Sequence, residues 1–192
     1  MRPIMSNTFL QLSQYVEKKF GIALQEHQTN RVMHALDNTK KTLQLNDEKL
    51  INGLQQNDMS IMNAVISAIT VQESYFFRDQ SLFNYLKEYG LPKIIQKKIK
   101  TNDLNIKIWS AGCARGEEIY SVAILLNELL PFDARWQIHL IGSDINQAAI
   151  RDAENGEYSA SSLRRFTEEQ IQQYFEKKEN KFFLKSQFQK KC

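Results

Sequence analysis

Residues 106–122 read IKIWSAGCARGEEIYSV, and the fold turns on them. The β-prone run Ile106, Ile108 and Trp109 stops at Ser110, and a turn carries Gly112 and Gly116, which permit backbone conformations other residues resist. Ile119, Val122, Ala123, Leu125 and Leu126 then mark an apolar helical face, so the stretch predicts strand, loop and amphipathic helix. Amide groups at that helix start would face a ligand. A second strand, Gln137 to Gly142, ends in Ser143-Asp144-Ile145-Asn146, which predicts a right-handed βαβ unit. Asp144 falls where such a unit holds a ribose.

In a dinucleotide-binding unit the helix start receives a pyrophosphate, but here Glu117 and Glu118 fill the first turn. Two carboxylates suit the helix dipole and repel phosphate. A nucleoside with no phosphate and a positive centre fits better, and S-adenosylmethionine is the common cofactor of that description. A nicotinamide-dependent oxidoreductase is disfavoured on the same ground. Gly-x-x-x-Gly with a later acid is a weak pattern by itself, and glutamates that only match the helix dipole are an equal reading of it.

A chain of 192 residues holds one ordinary domain, or a small one plus part of a second. Hydrophobic content of 42% with 24% charge is that of soluble globular chains. A net charge of +3 gives no reason to invoke nucleic acid. No apolar run approaches a membrane span, and Met1 to Leu10 lacks the basic start and apolar core of a signal peptide. The reading is a cytoplasmic protein without membrane insertion. Cys113 and Cys192 have neither zinc-ligand spacing nor a secretory context, and no metal site is expected. Cys113 reads as a small loop residue, since none of His27, His34 or His139 falls in its loop.

Upstream, four amphipathic helices predict an all-helical domain over residues 1–69. Ser6, Asn7 or Thr8 caps the first, and Gly21 stops it. The second runs from about Gln25 to Leu36 and is broken by Asp37-Asn38-Thr39. Asn46-Asp47 starts the third, and Asp58 or Ser60 the fourth. Met33, Met59 and Met62 read as core fillers. After Thr70–Asp79, Phe83, Leu86 and Tyr89 define a helix ended by Gly90 and Pro92, and Lys93 to Lys100 a second one. Asn146 to Asn155 is read as a helix stopped by Gly156, and Ser159 to Phe175 as a helical connection with a cap at Thr167.

WSAGCARGEEIYSVA, followed by IGSDIN and AIRDAENGEY, resembles the CheR family of chemotaxis-receptor glutamate methyltransferases. TVQESYFFRD upstream is similar to that family's Thr-x-x-Glu-Thr-x-Phe-Phe-Arg stretch, so four motifs stand in the family's order from Thr70 to Tyr158. The resemblance implies an α/β chain: an N-terminal all-α domain, then part of a Rossmann-like methyltransferase domain over 70–178, then the start of a β-subdomain over 179–192. It implies S-adenosylmethionine as cofactor, S-adenosylhomocysteine as product, and the cytoplasmic domain of methyl-accepting chemoreceptors as partner. It further implies that Gln72, Ser74 and Arg78 line the cofactor pocket with Gly112, Glu118, Asp144 and Ile145. Gln72 and Ser74 stand where the family often has Asn and Thr, and both keep hydrogen-bonding groups. Arg78 is the implied catalytic residue, anchoring the cofactor's amino-acid end and touching the substrate carboxylate. Asp144 takes the ribose hydroxyls, Glu118 the charged end, and Glu117 is expected at the surface. The family's second helix is arginine-rich and docks receptor helices, whereas here it keeps only Arg31, beside His34.

Asn180 to Leu184 begins another strand, and the chain ends at Cys192 before the family's remaining strands. Two parallel strands with one face covered leave apolar surface and two unpaired edges, which is marginal for a sheet. The expectation is therefore an incomplete chain, one that self-associates through its strand edges or pairs with another polypeptide. The alternative function is a truncated, non-catalytic relative that binds cofactor or a protein partner.

Overall fold

Asn46 and Asp58, two short polar side chains ahead of apolar runs, start helices where such residues should. In the computed structural model, which describes residues 7–70, 73–130 and 135–189, the Asn46 carboxamide accepts from the Lys49 amide and Asp58 from those of Ser60 and Ile61. They open α3 (Asp47–Gln55) and α4 (Met59–Ile69), which follow α1 (Asn7–Phe20) and α2 (Thr29–Leu43). Phe9, Leu12, Val16, Val32, Leu36, Leu50, Leu54 and Val65 form their shared core, each 1% exposed or less. The chain divides between Val71 and Gln72 into two units, of which these helices are the first.

Two details of this unit differ from the sequence reading. Asp37-Asn38-Thr39 does not break α2, because Lys40 pairs with Asp37 at 2.8 Å and the Thr39 hydroxyl donates to the Ala35 carbonyl at 3.0 Å, feeding the polar side chains back into the helix. Met59 is no core filler: at the first turn of α4 it stands 63% exposed, whereas Met62 is buried. Ser6 lies outside the described residues, and α1 opens at Asn7.

The second unit opens with α5 (Gln80–Tyr85), a π-helical turn at Leu86–Gly90 and α6 (Leu91–Lys100). Gly90 therefore does not end a helix: its φ of −63° and ψ of −60° are helical, and Pro92 sits in the first turn of α6, where its missing N–H costs nothing. Tyr89, one of the three residues that define this helix in the sequence, lies in the π turn and is 65% exposed.

Next come β1 (Asn105–Ala111), α7 (Glu117–Leu129) and β2 (Gln137–Ser143), the expected βαβ unit, with β1 and β2 parallel and Asn105 opposite Gln137. Ile106 and Leu140 point to the buried face, while Trp109 and Ile141, paired on the other, are 69% and 59% exposed. Instead of one inward face, α7 buries every residue from Ile119 to Leu126. It is the central helix, packed by both strands, α6 and the C-terminal segment.

That segment holds α8 (Gln147–Asn155), β3 (Glu157–Tyr158), a 3-10 turn at Ala160–Leu163, α9 (Glu168–Tyr174), β4 (Phe175–Lys178), β5 (Lys181–Leu184) and α10 (Ser186–Gln189). Thr167 caps α9 in a box closed by Gln170 rather than by the adjacent glutamates. β5 lies between β3 and β4, antiparallel to both. This small sheet carries Tyr158 and Phe175, which with Phe166 surround Phe76 at ring-centroid distances of 4.8, 5.2 and 5.4 Å. Phe76 is fully buried and its amide donates to the Ser162 carbonyl at 3.1 Å. The C-terminal sheet thus anchors the stretch that carries Ser74 and Arg78. Phe76→Ala should cost about 3–5 kcal/mol, measured by chemical denaturation, and Phe76→Leu distinctly less.

Candidate cofactor site

Two loops meet at the carboxyl ends of β1 and β2, the place where open α/β units bind ligands. The Ser143 carbonyl accepts from the amides of Gly112 at 2.7 Å and Cys113 at 3.0 Å. Asp144 completes the clasp, its Oδ2 accepting from the Ala114 amide at 2.9 Å and its Oδ1 from the Asn146 amide at 2.8 Å. Each of its oxygens retains lone-pair capacity, and the side chain is half-buried with an open approach. Asn146, 1% exposed, caps α8 and fixes the loop behind it.

Gly112 is exposed at φ +79°, and nothing lies within 4 Å of where a Cβ would stand, so a ligand can close directly on this backbone. Gly116 is needed for another reason. At φ +86° a Cβ there would lie 2.7 Å from the Tyr120 ring, itself buried and tied through its hydroxyl to the Ala153 carbonyl. Cys113 is 2% exposed, and burial, followed by the nearby Asp144 charge, pushes its thiol up, so it stays protonated and packed.

The paired glutamates separate. Glu118 is exposed toward the loops, held by the Ser110 hydroxyl, which donates to its Oε1 at 2.6 Å. Glu117 is not at the surface, as its position in the first turn suggested, but 1% exposed. The Ser162 hydroxyl donates to its Oε1 at 3.4 Å, while Oε2 has no hydrogen-bond partner. Burial raises its carboxyl above the ordinary value, opposed by the backbone, Arg115 and the hydroxyls of Ser162 and Ser74. Sequence reasoning had no means to see this, because the serines that face Glu117 come from distant segments.

Ser74 is thereby placed against Glu117 at the start of α7. Arg78 is exposed, one guanidinium N–H donating to the Glu73 carbonyl at 2.7 Å. Phe77 sits at φ +54°, strained for an aromatic residue. Its amide donates to the Ser121 hydroxyl at 3.0 Å, which in turn donates to the Glu117 carbonyl at 2.6 Å, and its ring packs on Phe83 and Phe166. Ser121, 0% exposed, is the anchor of this turn that the sequence reading missed: a polar residue amid an apolar helix was its only signal. Ile145 is 41% exposed at the rim after Asp144. Gln72 lies outside the described residues.

Residues 72–192 match the family model described as CheR methyltransferase, SAM binding domain. The chain belongs to the CheR family. A chemotaxis protein methyltransferase of Borreliella burgdorferi is 29% identical over 158 residues, covering 81% of this chain and 56% of the relative. Chemotaxis protein methyltransferase 2 of Vibrio cholerae is 37% identical over 114 residues, 59% of this chain and 38% of the relative. The Salmonella typhimurium chemotaxis protein methyltransferase is 29% identical over 170 residues, 87% and 55% of the two chains. The chain thus spans about half the length of the curated relatives it matches. Among the described residues, no helix is long and apolar enough to cross a membrane.

The residues present suit S-adenosylmethionine, the cofactor of the matched CheR domain. Asp144 can accept two hydroxyl donors, Gly112 leaves the backbone open to close approach, and Glu118 supplies negative charge where a phosphate would be repelled.

Glu117 predicts a pH signature. Its folded-state carboxyl titrates above the unfolded value near 4.5, so above that pH the folded chain binds more protons, and stability falls as the pH rises through the folded pKa. Glu117→Gln keeps the acceptor for Ser162 without the charge. It should melt at a higher temperature than the wild type at neutral pH, with the gap closing as pH falls toward 4.5.

Proposed function

We propose that this chain forms the cofactor-binding part of a protein-glutamate O-methyltransferase that acts on the cytoplasmic domains of chemoreceptors. The observation that carries the reading is the clasp of Asp144 and Ser143 on the Gly112–Ala114 loop, with Glu118 facing the same loops. When bound, S-adenosylmethionine supplies an electrophilic methyl group on a sulfonium. Asp144 holds the ribose hydroxyls, with Gly112 and Ile145 bordering the nucleoside. Glu118, steadied by Ser110, faces the positive end and orients it.

The acceptor glutamate is ionised at neutral pH, so no residue need remove a proton. What remains for the protein is positioning. Arg78 serves both the carboxylate of the cofactor's amino-acid end and the incoming glutamate, with Ser74 and Gln72 as neighbouring hydrogen-bonding groups. The Phe77 turn, locked by Ser121, fixes where the Arg78 backbone starts. Such an enzyme works in the cytoplasm, where the receptor's methylated domains are.

A second reading is a cofactor-binding or interaction module without activity of its own. The exposed Trp109–Ile141 face of a two-stranded sheet favours it, since that face and the strand edges invite another polypeptide or a second copy. Calorimetric titration of S-adenosylhomocysteine tests the site directly: clear binding is expected, lost in Asp144→Ala. Transfer of labelled methyl groups to receptor fragments then separates the readings. Arg78→Ala should lower kcat/KM about a hundredfold through misplacement of the reacting groups, and an unchanged rate removes Arg78 from the mechanism.

A further inference from the structure

Two guanidinium groups, those of Arg164 and Arg165, gather at Tyr75, in the stretch that also carries Ser74 and Arg78. Arg164 stacks on the Tyr75 ring with its Cζ 3.4 Å from the centroid, and donates to the Ser161 carbonyl at 3.3 Å. Arg165 reaches the same phenol, and the two arginines together hold its pKa below the ordinary tyrosine value. Arg165 also shares the wall of a cavity of about 190 Å³ with Phe77 and Gln80, the residues that flank Arg78 and Asp79. Among the described residues, Arg78 itself is engaged by the Glu73 carbonyl. All three arginines are exposed, and none forms an ion pair among the described residues.

The nearby acids do not neutralise this patch. The Asp79 carboxylate caps α5 through the Leu82 amide at 2.9 Å, and Glu169 is drawn to Thr167 and its own backbone. Glu73 and Glu168 are exposed and unpaired with the arginines. Guanidinium groups held by carbonyls and an aromatic ring keep their outward N–H donors for a ligand, and their planar fork matches a carboxylate. The interspersed acids disfavour a dense phosphate backbone. On α2, Lys40 is already paired with Asp37 and Asp47 and Arg31 donates to the Ile69 carbonyl, so both of these charges are engaged within their own unit.

We propose that Arg164 and Arg165, arrayed on Tyr75, form a recognition surface for a carboxylate-bearing peptide segment of the methyl-accepting partner, beside Arg78. The identity of the partner rests on the methyltransferase reading, but recognition of acidic peptide is measured separately from cofactor binding.

The probe is a fluorescent synthetic peptide bearing several glutamates, compared by anisotropy with its all-glutamine counterpart on the 192-residue chain saturated with S-adenosylhomocysteine. The glutamate peptide should bind tighter, and added salt should erase the preference. Arg164→Ala with Arg165→Ala should weaken it about tenfold while leaving the S-adenosylhomocysteine affinity within about twofold, and the paired Lys variants, which keep the charge without the planar fork, should recover only part of the binding. Unchanged peptide affinity in the double Ala variant, or equal binding of the two peptides, with cofactor binding intact, overturns the proposal. Tighter binding of a single-stranded oligonucleotide than of the glutamate peptide overturns it too. Acidic-peptide preference without any S-adenosylhomocysteine binding leaves the recognition surface standing and sinks the methyltransferase reading instead.

Discussion

The site depends on one clasp: the loop after the first strand of the parallel pair is pinned to the end of the second. Ser143 and Asp144 together accept four backbone amides, those of Gly112, Cys113, Ala114 and Asn146. Loops at a sheet's end are otherwise mobile, and a crevice built from them binds weakly because each contact must order the chain first. Here the ordering is built in. Asp144 is therefore structural and, in the proposed site, a ligand contact as well, a double role open to a carboxylate because it has more acceptor sites than the clasp consumes.

A second constraint reaches the site from the opposite side. Phe76 is enclosed by Tyr158, Phe166 and Phe175, so the small antiparallel sheet is the platform on which the Ser74–Arg78 stretch rests. Phe77 then turns through a strained conformation held by Ser121 from within the central helix. Strain of this kind persists only where the surroundings over-determine it. One helix, α7, accordingly governs both walls: its first turn presents Glu118, and its buried Ser121 fixes the turn ahead of Arg78.

Much of this was legible in the sequence wherever the signal is local. Strand, glycine turn, helix and second strand follow from residues 106–146 alone, and Asn46 and Asp58 cap as their side chains require. Legibility failed where distant segments decide. Glu117 and Glu118 are indistinguishable as neighbours in a first turn, and only Ser162 and Ser74 folding over one of them makes it buried. Asp37-Asn38-Thr39 reads as a breaker until Lys40 and the Ala35 carbonyl satisfy it. The strand Glu157–Tyr158 is too short to show alternation, and only its pairing with Phe182 and Phe183 identifies it.

The measurement that tests the central claim most directly is amide hydrogen exchange with and without S-adenosylhomocysteine. The account predicts slowed exchange in three separate stretches: Gly112–Glu118, Ser143–Asn146 and Ser74–Arg78. Slowing should be absent from α1 to α4. Exchange unchanged in all three, or slowed there by a nicotinamide dinucleotide and not by S-adenosylhomocysteine, would contradict it.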